Sequence, residues 1–251
     1  MLFISALLKP VVDFSRTVNI DITPFAAVFV FSDFNSTFAS MMMLLGMACL
    51  CSDYLVLDGQ HVFCLLRARK KNWIISQLLM LLFMSVIYVL IWTVGSLLPC
   101  LANTKWDLQW GKIWNTLAFT TTGTAYGLEL DVSSSLINNY TPVQALLMSI
   151  GLKISACFLI SICVFAGNMF LSAGFGTLIG FALALEDMFA FNAGIGYWFT
   201  WLSPATMSRL VALDSTHTFV LPGFAEAMCV INAASVILIV FIVLNGHRKA
   251  V

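Results

Sequence analysis

From Ile74 to Leu98 the chain reads IISQLLMLLFMSVIYVLIWTVGSLL, 25 residues without a charged side chain. At ~1.5 Å of rise per residue, a helix of that length reaches roughly 37 Å, more than the ~30 Å hydrocarbon core of a bilayer. In lipid a helix pairs all its backbone groups internally, which is why such a run favours a transmembrane helix over any soluble element. Further apolar runs extend the reading along the chain: Phe34 to Cys51, Val143 to Phe165, Met169 to Leu185 and Phe224 to Leu244. The expected fold is therefore all-α, a polytopic transmembrane helix bundle forming one domain over residues 1–251, with five full spans at 34–51, 74–98, 143–165, 169–185 and 224–244. Met1 to Leu8 is apolar but, at about 12 Å of helix, too short to cross; it reads as the tail of a truncated first span.

Composition agrees. Hydrophobic residues make up 61% of the chain and charged residues 10%, against about 45–50% and about 25% in soluble domains. Twelve Lys and Arg cancel twelve Asp and Glu. Without a basic field to gather phosphates, nucleic acid is not an expected partner. The lipid bilayer is.

Lys and Arg in short loops set orientation, because cytoplasmic loops hold the excess. Arg67, Arg69, Lys70 and Lys71 fall within five positions, and the chain ends in His247-Arg248-Lys249 before Ala250 and Val251. Both basic segments are expected in the cytoplasm, and the span count between them is consistent with that. The segments 9–35, 98–141 and 187–222 are then outside, carrying Asp187 and Arg209 among other charges. Trp106, Trp110 and Trp114 recur every four residues, which predicts one helical face, either an interfacial helix or part of an outward vestibule.

Catalytic and metal chemistry finds no support in the motifs. The three histidines, at 61, 217 and 247, are far apart, and no His-Glu-x-x-His, Gly-x-Ser-x-Gly or P-loop pattern occurs. The seven cysteines lie mostly in apolar runs and lack metal-ligand spacing. The chain is expected to be non-catalytic, with no metal and no cofactor of its own.

Ionisable groups inside apolar runs are costly and so carry information. Lys153 lies near the middle of the third long run, with Glu186 and Glu226 as possible partners; it is either a functional counter-charge or a snorkelling lysine. Asn168 and Asn232 add polar lining. With no acid deep in the spans, ion-coupled transport is disfavoured. Gly176 and Gly180, spaced as small-x-x-x-small, predict close helix packing, at a dimer seam or a pore lining.

The inner segment Cys51 to Trp73 carries a turn signal at Asp58-Gly59, followed by Val62, Phe63, Leu65 and Leu66. It reads as a short amphipathic helix capped by Asp58, or as a plain loop whose basic cluster sets topology. The sequences LLRARKKNWIISQLLMLLFMSVIYVLI, WGKIWNTLA, YTPVQALL, a span with Asn168, and LSPATMSRL follow in that order. From about Asp53 to the C-terminus this order resembles small bacterial ABC transporter permeases of the type 2 exporter class. Tyr54-Leu55-Val56-Leu57 stands where those permeases carry a Pro-Phe turn. The resemblance implies a six-span subunit in the bacterial cytoplasmic membrane with a cytoplasmic C-terminus. Its implied partners are a second permease copy or paralogue and cytoplasmic ABC ATPase subunits. It also implies a short cytoplasmic coupling helix near Asp58 to Leu66, which assigns ATPase contact to Asp58, Gln60, His61 and Phe63, with Arg67 and Arg69 behind them.

Overall fold

The structure, a computed structural model, describes residues 2–32, 38–52, 70–128, 130, 132–172, 174–192, 197–213 and 221–249. The expected coupling helix, with Asp58, Gln60, His61, Phe63, Arg67 and Arg69, lies outside the described residues.

Among the described residues every extended element is helical; one isolated bridge joins Ile22 and Thr104. In chain order the α-helices are α1 (Leu2–Val18), α2 (Ala26–Phe31), α3 (Phe38–Ser52), α4 (Lys70–Leu97), α5 (Gly111–Phe119), α6 (Thr122–Ala125), α7 (Ser134–Asn139), α8 (Pro142–Phe170), α9 (Phe175–Asn192), α10 (Pro204–Met207) and α11 (Phe224–Lys249). Three stretches are long and apolar enough to cross a membrane: Lys71–Leu101, Pro142–Phe170 and Phe224–Gly246.

The axis of the bundle is α8. It packs against α3, α4, α9 and α11, and most of its inward residues, from Ala145 through Leu152 and Ala156 to Phe165, are buried. By contrast α4 and α11 are covered on one side only. On α4, Leu79, Phe83, Ile87, Leu90 and Val94 recur every three or four residues and stay exposed, Phe83 at 65%. On α11, Ile237, Val240 and Leu244 do the same. A stripe of that size on a soluble surface would be an association liability, whereas acyl chains cover it at no cost.

Three expectations are corrected here. First, Met1 to Leu8 is not a separate eight-residue fragment: its described residues open the amphipathic α1, which buries Leu7, Leu8, Val11, Val12 and Phe14 and exposes Lys9, Asp13 and Arg16. That helix docks on α4 and the 3-10 turn Leu98–Asn103. Second, the described part of the run 34–51 belongs to α3, 15 residues from Phe38 to Ser52, with the separate, wholly buried α2 before it in the chain. At about 22 Å, the described part of α3 is shorter than the hydrocarbon core. Third, the boundary between the runs 143–165 and 169–185 moves: α8 continues to Phe170 and α9 begins at Phe175, just after Gly174, which takes the positive φ of 91° that a side chain disfavours.

The three tryptophans do not share a helical face. Gly111 opens α5, so Trp106 precedes the helix and is 74% exposed, while Trp114 is fully buried. Trp110 donates from Nε1 to the Tyr140 carbonyl at 2.9 Å, and Trp114 from Nε1 to the Thr23 carbonyl at 3.2 Å. Phe29 of α2 lies against both indoles, its ring centroid 4.6 Å from that of Trp114. Tertiary burial, not a headgroup layer, holds Trp110 and Trp114.

Candidate functional site

Three charged side chains are buried among the described residues: Lys153, Asp187 and Arg209. Each comes from a different element. Lys153 sits near the middle of α8, Asp187 near the end of α9, and Arg209 just past α10. Sequence reasoning placed Asp187 and Arg209 in an outer segment; here they are 2% and 4% exposed. The reason lies in α9, where the apolar residues Met188 and Phe189 resume after Glu186-Asp187, so the helix continues to Asn192 with its charges inside.

The segment after α9 turns back into the bundle. Ser203 caps α10, its Oγ accepting from the Thr206 amide at 3.1 Å, and Pro204 takes the first helical position, where its missing N–H costs nothing. Every residue from Ser203 to Leu210 is buried. The stretch 203–210 of LSPATMSRL is thus an inserted segment and not part of an outer loop.

Its polar atoms meet the charges. Arg209 holds Asp187 with both carboxylate oxygens engaged: Nε lies 2.9 Å from Oδ2, and Nη2 donates to Oδ1 at 3.0 Å. Thr206 Oγ1 donates to the same Oδ1 at 2.8 Å. Lys153 Nζ donates to Ser208 Oγ at 2.9 Å and to Ser40 Oγ in the first turn of α3. The Ser208 hydroxyl in turn donates to the Ala205 carbonyl at 2.6 Å. Four elements are thereby tied at one level, α3, α8, α9 and the 203–210 segment.

The suggested partners of Lys153 have other employment. Glu226, in the first turn of α11, is exposed and accepts from the Gly223 amide at 2.9 Å, a capping interaction. Glu186 is half-buried with Ser203 and the Ala205 amide against its carboxyl group. The acid beside the lysine is Asp187, and an acid does therefore lie inside the bundle.

Asn168 acts at the opposite end of α8. Its Nδ2 donates to the Ser52 carbonyl at 3.2 Å, and its Oδ1 accepts from Gly174 and Gly176 amides at 3.1 and 3.0 Å. It is a clasp on the α8–α9 turn and the end of α3. Beside it, a Cβ on Gly176 would strike the Val164 carbonyl, and one on Gly180 would lie 2.5 Å from Val164 Cγ2 and 3.1 Å from Ala48 Cβ. These two glycines sit where α9 crosses α8 and α3.

At the far end, a cleft of about 960 Å³ opens above the start of α8, lined by Asp21, Lys105, Lys112, Asn115, Tyr140 and Gln144 among others. Thr141, on its wall, precedes Lys153 by twelve residues, or about 18 Å of helix. Among the described residues no group of His, Cys, Asp and Glu is arranged to hold a metal ion. No family model, curated protein or solved structure matches the chain.

Proposed function

We propose that the chain is the membrane-spanning permease subunit of an ATP-binding cassette exporter, moving its substrate with ATP hydrolysed by a partner subunit. The observation that carries this reading is a meeting of ends. A Cβ on Gly246 of α11 would lie 2.9 Å from Ile74 Cδ1 of α4 and 2.6 Å from Met169 Cε of α8, and Asn168 reaches Ser52 nearby. The last described residue of α3, Ser52, and the first of α4, Lys70, lie at the same end of the bundle as the end of α11, which runs on to His247-Arg248-Lys249. That arrangement supports a common cytoplasmic side for both basic segments, as loop charge asymmetry requires. A segment of 17 residues between Ser52 and Lys70 is then available to an ATPase, through Asp58, Gln60, His61 and Phe63.

In this reading closure of two ATPase subunits pushes on 58–66 and shifts the bundle between inward and outward states, a change driven by differential binding to the two. A second permease copy or paralogue completes the path. The test is co-purification from the native membrane: an ATPase accompanies the wild type and is lost when residues 58–66 are replaced. Retention after replacement refutes the coupling assignment.

A second reading is favoured by the acid inside the bundle. A stand-alone carrier would use Asp187 and Lys153 as its coupling and counter-charge pair, since ionisable groups in a membrane interior mark ion and substrate paths. Transport that persists without any ATPase and stops in Lys153→Met selects that reading over the first.

A further inference from the structure

Lys153 is fully buried, yet no carboxylate lies within 4 Å of its ammonium group among the described residues. Its acceptors are two serine hydroxyls, Ser40 and Ser208, from two different elements. An ammonium group has three donors and gains most from an ionised acceptor. Asp187 is near enough to act on it electrically, but spends its oxygens on Arg209 and Thr206. Two buried cations therefore face one buried carboxylate.

The surroundings share the same sign of demand. Ser40, on α3, presents only a neutral hydroxyl to Lys153. One turn along α8 toward the far cleft, Ser149 is fully buried with its hydroxyl unpartnered. Ala145, Ser149, Lys153 and Cys157 form one buried stripe at four-residue spacing, and it starts near the cleft wall at Gln144.

We infer that Lys153 anchors an oxyanion, the carboxylate or phosphate group of the transported molecule. In the conformation described, the Ser208 hydroxyl holds the place of that oxyanion. Withdrawal of 203–210 removes it, and the anion then binds Lys153 with Ser40 and Ser149 as neutral hydroxyl donors. The inference rests on the transport reading above.

The test uses the purified wild type in neutral detergent with a photoreactive dodecyl phosphate bearing a diazirine. Saturable adducts are expected on peptides covering 145–157 or 203–210. Excess dodecyl phosphate or laurate competes, whereas dodecyltrimethylammonium does not. Competition by inorganic phosphate as well shows that the anionic group alone suffices; its failure shows that the alkyl chain contributes. Lys153→Met weakens the labelling about tenfold or more, the weight of one charge-assisted hydrogen bond. Absence of saturable adducts in these peptides, equal competition by the cation, or unchanged labelling in Lys153→Met overturns the inference. Because the mapping is made on the wild type, it stands even where the variant does not fold. An ATPase that co-purifies while no adduct forms here overturns the anion site and leaves the exporter reading in place.

Discussion

Arg209 and Asp187, 22 residues apart in the chain, face each other inside the bundle with Nε 2.9 Å from Oδ2 and side chains only 5% and 2% exposed. Removing one partner of such a pair leaves the other charge buried and unneutralised, which costs about 3–5 kcal/mol. Asp187→Asn is therefore expected to lower the unfolding midpoint in detergent sharply. Asp187→Leu combined with Arg209→Met recovers most of the loss, because neither member of the pair is left buried without its counter-charge. A double variant as unstable as the sum of the singles would show that the two do not interact.

The crossing of α9 over α8 leaves no room at Gly176, where a Cβ meets the Val164 carbonyl and the Asn168 side chain. Overpacking of this kind costs about 1–3 kcal/mol. Gly151, inside α8, is the control: the nearest atom to its Cβ is Met228 Cε at 4.0 Å. Thermal unfolding of Gly176→Ala should shift down. Gly151→Ala should hold or rise, since Ala in a helix interior gains about 0.5–1 kcal/mol over Gly.

Trp114 and Trp106 contrast a buried indole with an exposed one. Trp114 is fully buried against Phe29 and bonded to Thr23, whereas Trp106 is 74% exposed. Trp114→Ala should cost about 3–5 kcal/mol, and Trp106→Ala should fall within about 0.5 kcal/mol of wild type. Equal losses would contradict the packing of α2 against α5.

Apolar length was the most legible property of the sequence, because it needs no partner to be read. The charge-free run at 74–98 became α4 with little change, and the late run became α11. Long-range partners were not legible. Glu186-Asp187 looked like the end of a span, although apolar residues continue to Phe191 and signal a longer helix with charges inside it. Residues 187–222 read as an outer segment, yet the Ser203 cap inside it starts a buried turn. Trp110 and Trp114 looked amphipathic because periodicity reports a face, not what covers it. What covers them is α2, too short at six residues to register as an element. Lys153 was singled out by its burial among apolar neighbours, but its bonds to Ser40 and Ser208 cross 113 and 55 positions that no local pattern links.

The central claim is that the basic segment before α4 and the end of α11 share the cytoplasmic face of one membrane-embedded bundle. The direct measurement introduces Ala68→Cys and His247→Cys separately and labels right-side-out and inverted vesicles with a charged, impermeant thiol reagent, reading adducts at those positions by mass spectrometry. The account predicts labelling of both in inverted vesicles and of neither in right-side-out ones. Labelling of the two positions from opposite sides, or of either from the exterior, would contradict it.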